Sequence, residues 1–209
     1  MFVSTTRLPN CGLLREFIGF FSRQMVGGML LSKYHSGTSG SYNLVLLRHG
    51  QSTWNCDNCF IGWTDTPLTE EGVLEARAAG QVLVRSGIKF DEVHTSLLRR
   101  AIRTTNFVLM ELGQEYIPMY KHFRLNERMY GSLVGLNKKE CVKRFGKEQV
   151  KRWRRSYDEP PPEMDPLTHP YWPGHDPRYK HVRYLSFSHV FAWTHGVILF
   201  DLFMVTSVF

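Results

Sequence analysis

Cysteine, acids near the N-terminus and long uninterrupted apolar runs are all in short supply here, and each shortage removes a class of protein. Four cysteines, Cys11, Cys56, Cys59 and Cys141, are too few and too irregularly spaced for the disulfide framework of a small secreted domain. Reduced thiols in an intracellular protein are expected instead. Cys56-Asp57-Asn58-Cys59 has the spacing of half a zinc knuckle or of a redox pair. No second CxxC and no paired His follows at metal-ligand spacing, so incidental thiols are expected and no metal. The apolar stretch 197–209 holds one charge, Asp201, and with His189 and His195 before it a membrane span is not expected, because these groups are costly in the window of roughly 20 residues needed to cross. No internal repeat is apparent.

Acids are scarcest in residues 1–41, where Glu16 stands alone against Arg7, Arg15, Arg23 and Lys33. Two readings stay open for this segment: a transit peptide, which would make the destination mitochondrial, or an unstructured extension, including coding sequence upstream of the true start. Arg15 and Arg23 interrupt the apolar core that a secretory signal requires. Ser36-Gly37-Thr38-Ser39-Gly40-Ser41 reads as a flexible joint. A folded domain is expected over 42–182, followed by an aromatic, β-branched tail over 183–209, read as a buried strand or an unpaired apolar segment. The 209 residues suffice for one substantial core. The excess of 26 Lys+Arg over 19 Asp+Glu, a formal charge of +7, suits an anionic partner.

In the middle of the chain, strands and helices alternate. Asn43-Leu44-Val45-Leu46-Leu47 reads as a strand buried on both faces that ends in Arg48-His49-Gly50. Thr69 before Glu70 and Glu71 reads as an N-cap followed by acids that suit the helix dipole, for a helix reaching about Ser86-Gly87. Residues 90–95 form a second strand candidate, Ser96 a cap for a helix carrying Leu98, Ala101, Ile102, Thr105, Leu109 and Leu112, and residues 116–120 a third strand. Beyond Asn137 the pattern is helical and basic until Pro160-Pro161-Pro162. This alternation implies an α/β layered fold.

His49 at a strand end is where functional groups belong in such folds. A neutral imidazole can attack phosphorus through one nitrogen while the other is held by a carbonyl or carboxylate. Gly50 would let backbone amides approach phosphate oxygens. Planar guanidinium groups suit the negative charge spread over a transferring phosphoryl group, and a carboxylic acid is needed to exchange the proton of the hydroxyl that gains or loses it.

The segments LVLLRHGQSTWN, FIGWTDTPLTEEG, TSLLRRAIRTT, LNERMYGSLVGLNK, QVKRWRRSYDEPPPEM and PGHDPRYKH stand in the order found in cofactor-dependent phosphoglycerate mutases of the histidine phosphatase superfamily. The chain resembles that family over about residues 42–182. The resemblance implies a three-layer α/β fold, with a mixed, mainly parallel sheet and helices on both faces, incomplete at the C-terminus. It makes His49 the phosphorylated nucleophile and Glu127 the proton donor and acceptor. Arg48 and Arg100 become phosphate ligands, and Ser52, Asn55, Ile61, Gly62, Tyr130, Lys138, Arg154 and Arg155 line the substrate pocket. Implied too are interconversion of 3-phosphoglycerate and 2-phosphoglycerate, primed by 2,3-bisphosphoglycerate without metal, in glycolysis and gluconeogenesis. A cytoplasmic homodimer or homotetramer is the implied setting, with no nucleic-acid partner. The alternatives are a bisphosphoglycerate mutase or phosphatase using the same site, or a truncated, weakly active or inactive isoform that binds phosphoglycerates.

The sequence departs from that pattern in two places. The family's apolar-Ala-His-Gly-Asn-Ser-Leu-Arg segment, which brings a second histidine opposite the first, is missing. Trp193-Thr194-His195-Gly196 imitates it in part but follows Tyr179-Lys180-His181 too soon to admit the intervening helix. Divergence near Val182 would also leave a slot beside the strand at 44–47, which residues 197–200 are available to fill. Cys59 stands where many family members carry Arg.

Overall fold

The computed structural model describes residues 22–26, 29–35, 41–156, 158–180, 182 and 202–208. His195 and the stretch 197–200 lie outside the described residues, as do residues 1–21. A six-stranded sheet carries the fold, with strands β1 (Ser22–Val26), β2 (Met29–His35), β3 (Ser41–Arg48), β4 (Glu92–Thr95), β5 (Met119–Lys121) and β6 (Leu202–Val208). Their spatial order is β1-β2-β3-β6-β4-β5. β4 pairs with β5 in parallel, and β6 lies antiparallel to both β3 and β4. The three strands of the 42–182 region therefore run in one direction. The antiparallel members come from flanking segments: β1 and β2 pair with each other and onto β3, and β6 comes from the tail.

Two features differ from the sequence reading. Strands occur ahead of the expected domain start, because the outer edge of β3 offers unpaired backbone groups that a neighbouring extended segment satisfies. The tail does fill the slot beside β3, but with Leu202–Val208, which pairs with residues 42–48 on one side and 92–94 on the other.

Among the described residues the α-helices are α1 (Thr53–Cys56), α2 (Glu70–Arg85), α3 (Arg99–Leu112), α4 (Lys138–Phe145) and α5 (Lys147–Arg155). The Thr69 side chain accepts from the Gly72 N–H, as its sequence position suggested. α3 begins later than expected: Ser96 Oγ accepts from the Leu98 N–H, and the Arg99 N–H at the helix start is satisfied by Asp65 Oδ1 at 2.6 Å. The basic helix is two helices, broken at Gly146, whose φ of 82° is a left-handed value that glycine tolerates.

Two cores flank the site. Val45, Leu47, Leu83, Phe90, Val93, Val108, Leu109 and Ile117 join β3 and β4 to α2 and α3. Phe60, Trp63, Leu98, Met129, Tyr130, Leu133, Cys141, Val150, Met164 and Tyr179 form the second. On β3, Val45 and Leu47 are buried while Leu46 is half-buried and Arg48 exposed. The strand thus alternates rather than being equally buried on both faces.

Candidate active site

β3 delivers His49 at its C-terminal end, and the loop behind it is fastened to α2. Gln51 N–H donates to Glu75 Oε2 at 2.7 Å, and the Gln51 carbonyl accepts from the Thr69 N–H at 3.0 Å. The two segments touch backbone to backbone. A Cβ on Gly50 would stand 2.1 Å from the Gly72 carbonyl oxygen, and one on Gly72 would stand 2.0 Å from that of Gln51. Neither position has room for a side chain.

The His49 ring is 6% exposed and its tautomer follows from its partners. Nδ1 lies 2.6 Å from the Gly50 carbonyl oxygen, which can only accept, so Nδ1 carries the proton. Nε2 is left with its lone pair and accepts from the Nε–H of Arg100 at 3.3 Å. The nitrogen available as a nucleophile thus faces a guanidinium.

Arg100 is fully buried. Beyond His49, its Nη1 donates to the Thr64 carbonyl at 2.9 Å and its Nη2 to the Gly62 carbonyl and to Glu127 Oε2, both at 3.0 Å. A buried guanidinium requires such compensation. The positive φ of Gly62, 58°, turns its carbonyl into this position next to buried Ile61.

Glu127 is placed through its backbone. Trp63 Nε1–H donates to the Glu127 carbonyl at 2.8 Å, and neighbouring Asn126 accepts from the Leu97 N–H at 3.0 Å while donating to the Tyr179 hydroxyl at 2.9 Å. The buried Tyr130 hydroxyl bonds to the Glu127 carboxylate. Burial first, then the charge of Glu127, push the phenol well above its ordinary pKa.

Beyond these groups lies a positive rim. Lys138, at the start of α4, is held below its ordinary pKa by burial; Glu127 opposes that shift, and Arg154 and Arg48 add to it. Lys138, Arg154, Arg48 and Glu127 therefore share one electrostatic environment. The Lys138 ammonium also lies 5.8 Å from the Phe60 ring centroid.

Of the residues singled out in the sequence, the structure brings together His49, Arg100, Glu127, Tyr130, Gly62, Lys138, Arg154 and Arg48. Ser52 and Asn55 pair with each other: the Ser52 N–H and hydroxyl both donate to Asn55 Oδ1, at 3.1 and 2.9 Å. Arg155 occupies the exposed end of α5, one position beyond Arg154. Sequence reasoning missed Thr104 and Asp65, whose side-chain oxygens accept from the Gly50 and Arg99 N–H groups, and Gly72, whose backbone packs on Gly50 and Gln51. Their signal in sequence was no more than membership of the long motifs. Among the described residues, no group of three or more His, Cys, Asp or Glu is placed to hold a metal ion, and no helix is long and apolar enough to cross a membrane.

The family profile described as histidine phosphatase superfamily (branch 1) matches residues 44–170. The 2,3-bisphosphoglycerate-dependent phosphoglycerate mutase of Nitratidesulfovibrio vulgaris (strain DSM 19637 / Miyazaki F) is 55% identical over 138 residues, covering 66% of this chain and 55% of that protein. The chain thus spans about half the length of this curated relative. Among solved structures, a phosphoglycerate mutase from Bacillus anthracis str. Sterne matches at 29% identity over 51% of this chain and 48% of that one, with a TM-score of 0.43. The alpha-ribazole phosphatase from Shigella flexneri matches at 27% identity over 55% and 54%, with a TM-score of 0.45.

Proposed function

We propose that this chain, which belongs to the histidine phosphatase superfamily, is a phosphoglycerate mutase working through a phosphohistidine at His49. The observation that carries the reading is the unbroken chain from His49 Nε2 to the Arg100 guanidinium to the Glu127 carboxylate. The identity to a named mutase supports the substrate class.

In this reading 2,3-bisphosphoglycerate primes the enzyme. His49 Nε2 forms a bond to phosphorus as the P–O ester bond breaks, and the departing oxygen takes a proton from Glu127. Arg100, already on Nε2, binds the transferring oxygens as their charge develops. Arg48, Lys138 and Arg154 hold the remaining phosphate and carboxylate of the substrate. The phosphoenzyme then gives its phosphoryl group to the free hydroxyl of 3-phosphoglycerate, with Glu127 accepting the proton, to form 2,3-bisphosphoglycerate, and return of the other phosphoryl group of that intermediate to His49 releases 2-phosphoglycerate. Ser52, Asn55, Ile61, Gly62, Tyr130 and Arg155 shape the pocket. The process served is glycolysis and gluconeogenesis, in the cytoplasm, by a homo-oligomer.

The missing Ala-His-Gly-Asn-Ser segment favours a second reading, in which the chain binds phosphoglycerates and takes up phosphate at His49 but turns over slowly. Incubation with labelled 2,3-bisphosphoglycerate and 3-phosphoglycerate tests both readings. Label on His49 with formation of 2-phosphoglycerate is the expected result. Free phosphate without isomerisation would assign phosphatase chemistry to the site, and label on His49 with neither product would support the second reading. No label on His49 would overturn both.

A further inference from the structure

We infer that Thr104 is a positioning residue for His49, holding the imidazole against Arg100 through the Gly50 peptide. The inference rests on the reading of His49 as the phosphoryl acceptor and assigns a task to a residue outside the pocket. Thr104 is completely buried in α3, one turn beyond Arg100. Its hydroxyl donates to the Arg100 carbonyl at 2.8 Å, which fixes the rotamer and leaves a lone pair turned outward. That lone pair accepts the Gly50 N–H at 3.1 Å.

The geometry makes this contact a hinge point for the nucleophile. Gly50 is held at both ends, its N–H by Thr104 and its carbonyl by the Nδ1–H of His49. The ring that leans on Gly50 meets Arg100 through its other nitrogen. One face of α3 therefore grips the His49-Gly50 unit at two points, the Thr104 hydroxyl and the Arg100 Nε–H. From the opposite side the Gly72 backbone presses so closely that a Cβ on Gly50 would fall 2.1 Å from the Gly72 oxygen. The absence of side chains at 50 and 72 is what lets this peptide reach Thr104. Valine, similar in shape, would keep the packing but leave the Gly50 N–H buried without an acceptor.

The test compares Thr104→Val and Thr104→Ala with Thr104→Ser, which keeps the hydroxyl, in the full-length chain. The first readout is the rate of His49 labelling by 2,3-bisphosphoglycerate. The second is the nitrogen NMR spectrum of the His49 ring without ligand. Valine and alanine are expected to slow labelling by roughly 10- to 100-fold, the scale of a nucleophile displaced by about an ångström. They are also expected to move the Nε2 resonance toward that of a free imidazole, and serine is expected to restore both. An Nε2 resonance unchanged in both hydroxyl-free variants would overturn the inference. A wild-type chain that takes up no label, but whose Nε2 resonance moves in the variants, would keep Thr104 as a positioning residue and overturn the phosphoryl-acceptor reading instead.

Discussion

The Nε–H of Arg100 points at Nε2 of His49 across 3.3 Å, so a fully buried cation stands on the one ring nitrogen able to attack. The same guanidinium closes onto two loop carbonyls and onto Glu127. The groups that build the site therefore also tie the loops around it.

Replacing that cation should damage stability and chemistry together. Arg100→Gln removes the guanidinium that donates to the Thr64 and Gly62 carbonyls and to the Glu127 carboxylate, a loss expected to cost about 3–5 kcal/mol. Urea denaturation should show the midpoint falling with an unchanged slope, and His49 labelling should be abolished even where the variant remains folded.

Gly72→Ala acts from outside the pocket. Its Cβ would lie 2.0 Å from the Gln51 carbonyl oxygen and 2.8 Å from the Gln51 nitrogen, both backbone atoms that cannot swing aside. A cost of roughly 1–3 kcal/mol is expected, as for overpacking elsewhere. Slower labelling of His49 should accompany it, checked by thermal denaturation and by the labelling rate.

Tyr130 should remain a neutral phenol above the ordinary value of 10.0, because burial raises its pKa. Its folded-state pKa is raised, so the stability it contributes is fully present below the ordinary value of 10.0 and is lost as pH rises above it. Ultraviolet titration of wild type against Tyr130→Phe should show no difference until the chain unfolds. The phenylalanine variant should lose less stability on the alkaline side, and its Glu127, deprived of a donor, should transfer protons more slowly.

On the acid side the sign reverses. Hydrogen bonding to Arg178 holds the Asp176 carboxyl below its ordinary value of 3.8. Its contribution is present above that value and disappears as pH falls through the lower folded-state pKa. Arg178 also reaches Asp65 at 3.0 Å and the Leu97 carbonyl at 2.9 Å, tying residues 176–179 to the start of α3. Asp176→Asn should be less stable than wild type at neutral pH, with the gap closing in acid. Denaturation midpoints across pH check this.

How far this arrangement could be read in advance depended on the range of the interactions. His49, Arg100 and Glu127 sit in long motifs, and Thr69 capping Gly72 is a three-residue affair visible in any sequence. The start of α3 is not legible locally, because the acceptor of its first N–H, Asp65, lies 34 residues away. Thr104 is hidden for a similar reason, since a threonine inside an amphipathic helix looks like any other until the Gly50 peptide is set beside it. Nothing local separates β1 and β2, which exist by pairing with β3, from a transit peptide or an unstructured extension. In the tail a strand is one of two readings the composition allows, and its register is not legible, since that depends on the two edges it joins.

The position of β6 also bears on how the chain acquires its shape. β2 and β3 are neighbours in sequence and can pair as soon as both are made, whereas β6 is separated from β4 by all of residues 96–201. During synthesis the inner edge of β3 emerges early and meets its permanent partner late. Loop closure over such a span is slow. Through most of translation the nascent chain carries an open, strand-ready edge next to the segment that becomes its nucleophile loop, which makes that edge the natural point for a chaperone to cover or for misassembly to begin.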